Sequence, residues 1–583
     1  MLPERNRQKY GDEDKRMNIT EMPPSDRSPD TPAGAPRRVF RQRRLFLAIV
    51  LTVLISIPLV RNMAPDIDFA VANVVTLILA IIGWLASVAA LKTYPHSRRW
   101  ARVVFWVPIA AGVGFAALFR FERVDGELRP IFLPRWQKTP PLPDESAAPA
   151  QVPDEALFAP TSFDFPQFLG PHRNGVIEAV AINPDWQAHP PEILWKQPIG
   201  DGWSAYATQG EVAVTMEQRG EEEWVSAYRI GDGTLLWSYA IAAKHFNIMG
   251  GTGPRSTPTI DAGRVFACSA VGELVCLDLR SGQRLWSQDL LRLAECTQEE
   301  FEQHVAWGRA ASPLVFADRV VIPLGGAGPA LATLIAFDAR TGEPLWRGGD
   351  DQISYSSPTL ATIEGQPQIL LISESKLGAY APDSGELLWS TPWPGKSNAS
   401  ASCSQPIFVG PNRILLSKGY GTGAKLIEVH REGEQWMVNE IWAESSVLKT
   451  KFTSAVVRDG FAYGLSDGIL ECVDLSTGRR MWKRGRYRQG QLLLVRDKLL
   501  ISAEDGSLAL VPADPQGYVE LGRVPVIDGV TWNTLSLSKN RLLMRNSDEA
   551  ACVLLPVVDE QSGDAEKDPE GEPGRSTVMK EGV

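Results

Sequence analysis

The chain is predicted to be all-β: an eight-bladed β-propeller of four-stranded antiparallel blades, preceded by three transmembrane helices. Three observations predict it. A strand–turn–strand unit ending in tryptophan recurs along the chain, the two ends of the repeat array are incomplete in complementary ways, and three apolar segments lie near the N-terminus.

The unit is clearest in "LDLRSGQRLW", residues 277–286. Matching stretches end at Trp237 ("YRIGDGTLLW"), Trp346 ("FDARTGEPLW"), Trp389 ("YAPDSGELLW") and Trp482 ("VDLSTGRRMW"). "VNEIW", ending at Trp442, and "YVELGR", residues 518–523, are weaker copies. The copies recur every ~40–60 residues, as propeller blades do. Leu277 and Leu279 alternate with Asp278, which is the period of a strand with one buried face. Gly282 supplies the positive φ of a bulged hairpin turn, and Gly233, Gly342, Gly385 and Gly478 occupy the same place. Trp286 and its counterparts then offer a broad apolar surface to the next blade. A single blade cannot bury its own faces, whereas a stack can. The tryptophans therefore read as structural, not as a cofactor cage.

Trp195, in "EILWKQPIG", has the outer-strand pattern with no blade before it. At the far end, "TLSLSKNRLLMRNSDEAACVLLP", residues 534–556, supplies three strands and no fourth. Pairing residues 193–199 with this last blade completes the eighth and removes the exposed sheet edges.

The apolar segments are Leu45–Val60, Ile67–Leu91 and Val103–Phe119, the first and third short for a spanning helix. Arg61 and Arg120 at their ends are placed to snorkel to the interface. Arg37, Arg38, Arg41, Arg43 and Arg44 precede the first segment, and Lys92, Arg98, Arg99 and Arg102 fill the second loop. The positive-inside rule puts these on the cytoplasmic side, with the propeller extracytoplasmic. The expected organisation is a basic cytoplasmic tail (1–44), a three-helix inner-membrane anchor (45–119), a juxtamembrane segment and Pro/Ala-rich linker (120–160), the propeller (161–556) and an acidic disordered tail (557–583). Residues 120–136 mix aromatics with charge and are expected at the membrane surface.

The net charge of −10 and pI near 5.4 argue against a nucleic-acid partner. The six cysteines form no CxxC and no adjacent pair, and the six histidines have no metal-ligand spacing, so no metal site is assigned. "GYGTGAK", residues 419–425, lacks the spacing of a phosphate loop.

The repeat resembles that of the pyrroloquinoline-quinone (PQQ)-type propeller family over about residues 190–556. "FPQFLGPHRNGV", residues 165–176, is similar to the leading segment of its membrane-linked bacterial members. The resemblance implies two kinds of function. Quinone-dependent alcohol and sugar dehydrogenases of the family use PQQ with calcium, a vicinal cysteine pair and a catalytic aspartate. Other members, including the propeller lipoprotein of outer-membrane barrel assembly, are scaffolds. No adjacent cysteines and no convincing calcium set occur here, so no cofactor is identified beyond the PQQ and calcium that the family implies.

A polar residue stands before each innermost strand: Arg255, Arg309, Tyr355, Lys451, Gln489, and the pair Trp532 and Asn533. In a propeller these positions converge on one mouth of the axial channel, so they form the candidate ligand- or partner-binding site, with Arg255, Arg309 and Lys451 gathered together. The hairpin "MEQRGEEE", residues 216–223, is expected to overhang a face. The function expected is a membrane-anchored, non-catalytic scaffold for an envelope protein or a small-molecule ligand. The alternative is a quinone-dependent dehydrogenase passing electrons to the membrane, and a third reading is a sensor signalling through the spans.

Overall fold

The computed structural model describes residues 35–137, 142, 154–395 and 401–558. Most of the N-terminal tail, most of the Pro/Ala-rich linker and the acidic tail from residue 559 lie outside the described residues.

Eight antiparallel sheets of four strands make the ring: residues 207–241, 259–289, 314–348, 359–392, 407–444, 456–486, 491–525 and 536–554, the last completed by the strand Glu192–Pro198. That outer strand lies with Trp195 opposite Cys552 and Pro198 opposite Glu549. The ring is thus closed as the complementary ends predict. Blade 7 gains an extra inner strand, Val176–Ile177, parallel to Gln491–Val495.

The apolar core lies between neighbouring blades rather than at one centre. Trp237 and Val225 of blade 1 pack with Val265, Val275 and Leu277 of blade 2 in one such layer. The repeat motif builds these layers in a specific way. The Trp237 indole donates its Nε1–H to the Leu279 carbonyl of the next blade at 2.8 Å, and Trp286 does the same to Ala339 at 3.1 Å. Trp346, Trp442 and Trp482 donate to Pro382, Leu475 and Asp514, and Trp195 to Ile230. The ring of each indole rests on the glycine of the next blade's turn: Trp195 on Gly233, Trp237 on Gly282, Trp286 on Gly342, Trp346 on Gly385 and Trp442 on Gly478. Trp389 differs. It bonds Gln368 of its own blade at 2.7 Å, because blade 5 faces it with the long hairpin Gly423–Glu432 and Gln435–Glu444.

Near the N-terminus are α1 (Ala35–Ile67), α2 (Phe69–Lys92) and α3 (Arg98–Leu118). Three stretches, Val39–Ala64, Phe69–Lys92 and Pro95–Leu118, are long and apolar enough to cross a membrane. Contacts divide the chain into two compact units. Of the described residues, one holds those from 35 to 58 and 78 to 111, and the other those from 59 to 77 and from 112 to 558, with the whole propeller. In the first, the Trp84 indole bonds the Val104 carbonyl at 2.8 Å and stacks on Phe105.

Several sequence expectations need correction. α1 runs past Arg61, which does not end a helix but donates to Asn73 Oδ1 at 2.6 Å. Residues 120–136 form a β-hairpin, Phe119–Val124 paired with Pro130–Pro134, whose tip docks on the propeller. "MEQRGEEE" is a regular part of blade 1. Its strands stay paired out to Arg219 opposite Glu222, so the charges enter the sheet, and Glu217 and Glu223 are fully buried.

Candidate functional site

A belt of hydrogen bonds sets the register of the inner strands around the axis. Just before the innermost strands of blades 1 to 5, a backbone N–H donates to a side chain of the next blade. Ala205 donates to Thr257 Oγ1 at 3.1 Å, Thr257 to Ser312 Oγ at 2.9 Å, and Ser312 to Ser357 Oγ at 2.9 Å. Ser357 donates to Gln405 Oε1 at 3.0 Å and Gln405 to Ser454 Oγ at 3.1 Å. Two residues upstream of each of these positions is a side chain that lines an axial cavity of about 130 Å³: Trp203, Arg255, Ala310, Tyr355, Cys403 and Phe452, with Trp532 in the same place before blade 8.

This register divides the residues singled out from the sequence. Arg255, Tyr355 and Trp532 line the cavity. Arg309 and Lys451 stand one residue too early and do not join them. Arg309 is buried, bonds the Pro323 carbonyl at 3.0 Å and lies over the Phe301 ring at 4.2 Å. Lys451 forms an ion pair with Asp68 at 2.6 Å. The expected gathering of three cations is therefore absent. Gln489 is buried against Gly126, and Asn533 bonds the Gly202 and Ser204 carbonyls, tying blade 8 to blade 1.

Five aromatic rings form an arc at the mouth. Trp203 lies 4.7 Å from Trp532, Trp532 is 5.2 Å from Phe452, Phe452 is 6.0 Å from Trp307, and Trp307 stacks on Tyr355 at 4.9 Å. Such pairs add to burial through ring electrostatics. Trp307 comes from the long connection carrying the helices Leu290–Leu293 and Gln298–His304. Trp203, Trp307 and Phe452 were passed over in the sequence. The signal that finds them is an aromatic residue shortly before an inner strand.

Among the described residues, Arg255 is the one charged side chain lining the cavity. Its guanidinium donates to the carbonyls of Gly253 at 2.7 Å, Gly250 at 2.8 Å and Gly251 at 3.1 Å. Burial lowers its pKa to about 10. Burial also lifts Glu504, at the same mouth, to about 6.

Two segments cap this mouth. At the hairpin tip, Gly126 N donates to Glu504 Oε1 at 2.6 Å, and the Trp532 indole donates to the same oxygen at 2.7 Å. Glu127, almost wholly buried, pairs with Arg486 and with Arg129. At the α1–α2 turn, Asp68 Oδ1 accepts Ala70 N at 2.8 Å and so caps α2, while Oδ2 takes Lys451. The far side of the inner strands is crossed by the segment containing "FPQFLGPHRNGV". Phe165 bonds Thr208 of blade 1, the Pro166 carbonyl accepts Ile260 N of blade 2, and Arg173 binds the Ser312 and Pro313 carbonyls before the chain joins blade 7. Phe168 of this segment lines the cavity. Arg173 is held among carbonyls, and burial lowers its pKa to about 9.

These residues do not fit PQQ with calcium. Calcium takes six to eight oxygen ligands, carboxylates prominent among them. Here Asp68 and Glu127 are committed to the chain's own donors, Glu504 has one oxygen taken by Gly126 and Trp532, and no group of His, Cys, Asp and Glu side chains that could hold a metal ion comes together among the described residues. The one cysteine at the cavity, Cys403, has no neighbouring cysteine, and burial pushes its thiol pKa up to about 12. The cavity is also smaller than the ~300 Å³ at which ligand pockets usually begin.

Fold and site together define a self-closed eight-bladed propeller whose axial mouth is capped by segments of its own chain. Residues 196–295 and 221–484 match the family model described as outer membrane protein assembly factor BamB. The propeller belongs to the PQQ-like β-propeller repeat family. The chain is 26% identical over 259 residues to the BamB of Moranella endobia, covering 43% of this chain. It spans 61% of that relative's length. It is 23% identical over 382 residues to the BamB of Shewanella oneidensis, covering 50% of this chain and 93% of that relative. In structure it is similar to a europium-containing methanol dehydrogenase, with a TM-score of 0.50 and 12% identity over 66% of this chain and 90% of that one, a likeness of fold alone.

Proposed function

We propose that the protein is a propeller scaffold anchored in the inner membrane, with its N-terminus cytoplasmic and its propeller extracytoplasmic, that binds envelope proteins during outer-membrane protein assembly and performs no chemistry itself. The observation that carries this reading is the capped mouth. At the axial mouth, the hairpin tip at Gly126 engages Glu504 and the α1–α2 turn at Asp68 engages Lys451. The match to BamB relatives across the blades supports the scaffold role. The orientation is supported by the arginines at the N-terminal end of α1 and by the Asp68–Lys451 pair, since the α1–α2 loop has to share the propeller's side of the membrane.

The test is cross-linking of the full chain in intact cells, with the products identified by mass spectrometry. Outer-membrane protein precursors or components of their assembly apparatus are expected among them. Dye reduction with alcohols or sugars after PQQ and calcium are added to the purified full chain would overturn the reading. Protease added to spheroplasts is expected to digest the propeller and spare residues 1–44, and the opposite pattern would overturn the orientation.

A further inference from the structure

A second cavity, of about 360 Å³, lies against the outer side of the aromatic arc. Val71, Val74 and Val75 of α2 and Leu128 of the hairpin form its outer wall. Met249, Trp307, Phe452 and Trp532 line both this cavity and the axial one. Two of its charged residues, Asp68 and Lys451, neutralise each other, so what the space offers is mainly apolar. Its volume falls within the usual range of small-ligand pockets.

The two cavities are chemically unlike in a complementary way. Arg255 lines the axial one, and its hydrogen bonds go to the carbonyls of Gly250, Gly251 and Gly253, leaving guanidinium N–H groups over. Among the described residues no carboxylate forms an ion pair with it, whereas Lys451 and Arg486 each have one. Arg255 is partly buried and feels the Glu223 carboxylate only through space, without a direct ion pair, so an anion placed against its free N–H groups relieves part of the cost of desolvating it. The other cavity is walled by a helix apolar enough to span a membrane. On that helix Val71, Val74 and Leu77 are 50%, 41% and 62% exposed, an apolar track leading from the cavity wall along the helix. Between the two spaces stands Met249, an unbranched side chain that shifts readily.

We propose that the two cavities together bind a single-chain anionic amphiphile of the fatty-acid type, its acid group against Arg255 and its hydrocarbon chain along the first turns of α2. The proposal rests on the membrane anchor but not on the scaffold role, and its readout is ligand labelling rather than partner capture, so the two readings fail separately.

The full chain, reconstituted in phosphatidylcholine nanodiscs, is irradiated with a palmitic-acid analogue bearing a diazirine on its chain, and the labelled peptides are mapped. Label is expected on the peptides containing Met249 and Phe452, displaced by palmitate and not by palmityl alcohol. Arg255→Met is expected to lower this labelling by about tenfold, equivalent to one lost charge-assisted contact. Because Arg255 also holds a loop, Val74→Trp provides a second arm. It fills the apolar cavity from a position already half-exposed and is expected to abolish the label. Labelling confined to the helices between residues 39 and 118, or unchanged in the Val74→Trp protein, would overturn the proposal. Displacement by phosphatidylglycerol with none by palmitate would also overturn it, assigning the site to a two-chain lipid.

Discussion

The face of the Trp237 indole lies so close to Gly282 of the next blade that a β-carbon there would stand 2.5 Å from Cε3 and 2.7 Å from Cδ2. The glycine in the repeat thus answers two demands, a positive φ of 68° and the absence of a side chain under a ring. Gly263, with φ +74° and nothing within 4 Å of a β-carbon, answers only the first. Gly263→Ala is expected to cost about 1 kcal/mol, the strain of the left-handed backbone. Gly282→Ala adds overpacking and is expected to cost about 2–4 kcal/mol. Denaturant unfolding of the two variants checks this. Equal losses would show that the indole contact contributes nothing.

Ring closure depends on one strand and one arginine. Arg545, almost fully buried in blade 8, bonds Thr215 Oγ1 at 2.9 Å and the Met216 and Gly200 carbonyls at 2.8 Å each, across the seam to blade 1. Deleting Glu192–Pro198 exposes the strand Glu549–Leu554 as an open edge, and such edges recruit other chains. The deleted protein is expected to self-associate. A monomer in sedimentation that melts like the parent would contradict a closure made by this strand.

In the Asp68–Lys451 pair the lysine is buried and the aspartate largely so, and removing the lysine leaves a poorly solvated charge, a loss bounded by the about 3–5 kcal/mol of fully buried pairs. Lys451→Met is expected to loosen the α1–α2 turn while the blades hold. Hydrogen exchange should quicken at the Ala70 and Ala72 amides, which Asp68 receives, with the amides of blades 2 to 4 unaffected. Unchanged protection at Ala70 and Ala72 would show that the turn is held by other contacts.

Glu223 gives a pH dependence. It is fully buried, and burial raises its pKa from 4.5 to about 7 despite the hydrogen bond from Ala270 N at 3.0 Å. With the folded pKa above the unfolded one, the folded state binds the extra proton. Its contribution is fully present below about pH 4.5 and is lost as the pH rises through about 7. Glu504, raised to about 6, has the same sign. Glu223→Gln is expected to flatten the fall in stability between pH 5 and 7.5 by roughly 2 kcal/mol. Denaturation midpoints at the two pH values measure it, and an unchanged slope would show that Glu223 is not the titrating group.

Much of the ring was legible because propeller contacts repeat with the sequence. Each "SG–Trp" unit meets the same neighbour, so one motif such as Trp286 with Gly342 reports a whole interface, and the orphan strand at Trp195 reports the closure. The axial site was half legible. The polar residues before the inner strands were visible, but one residue of register decides whether a side chain faces the axis. Only the belt through Thr257, Ser312 and Ser357 set Arg255 inside and turned Arg309 away.

By itself the sequence determined the blade number, the strand that closes the ring and the three apolar helices, because each is written in local periodicity. The tertiary structure alone decided what covers the axis. Asp68 meets Lys451 across 383 positions of sequence and Gly126 meets Glu504 across 378. Neither residue carries a local pattern naming its partner, since a capping aspartate and a turn glycine look the same wherever their hairpins dock.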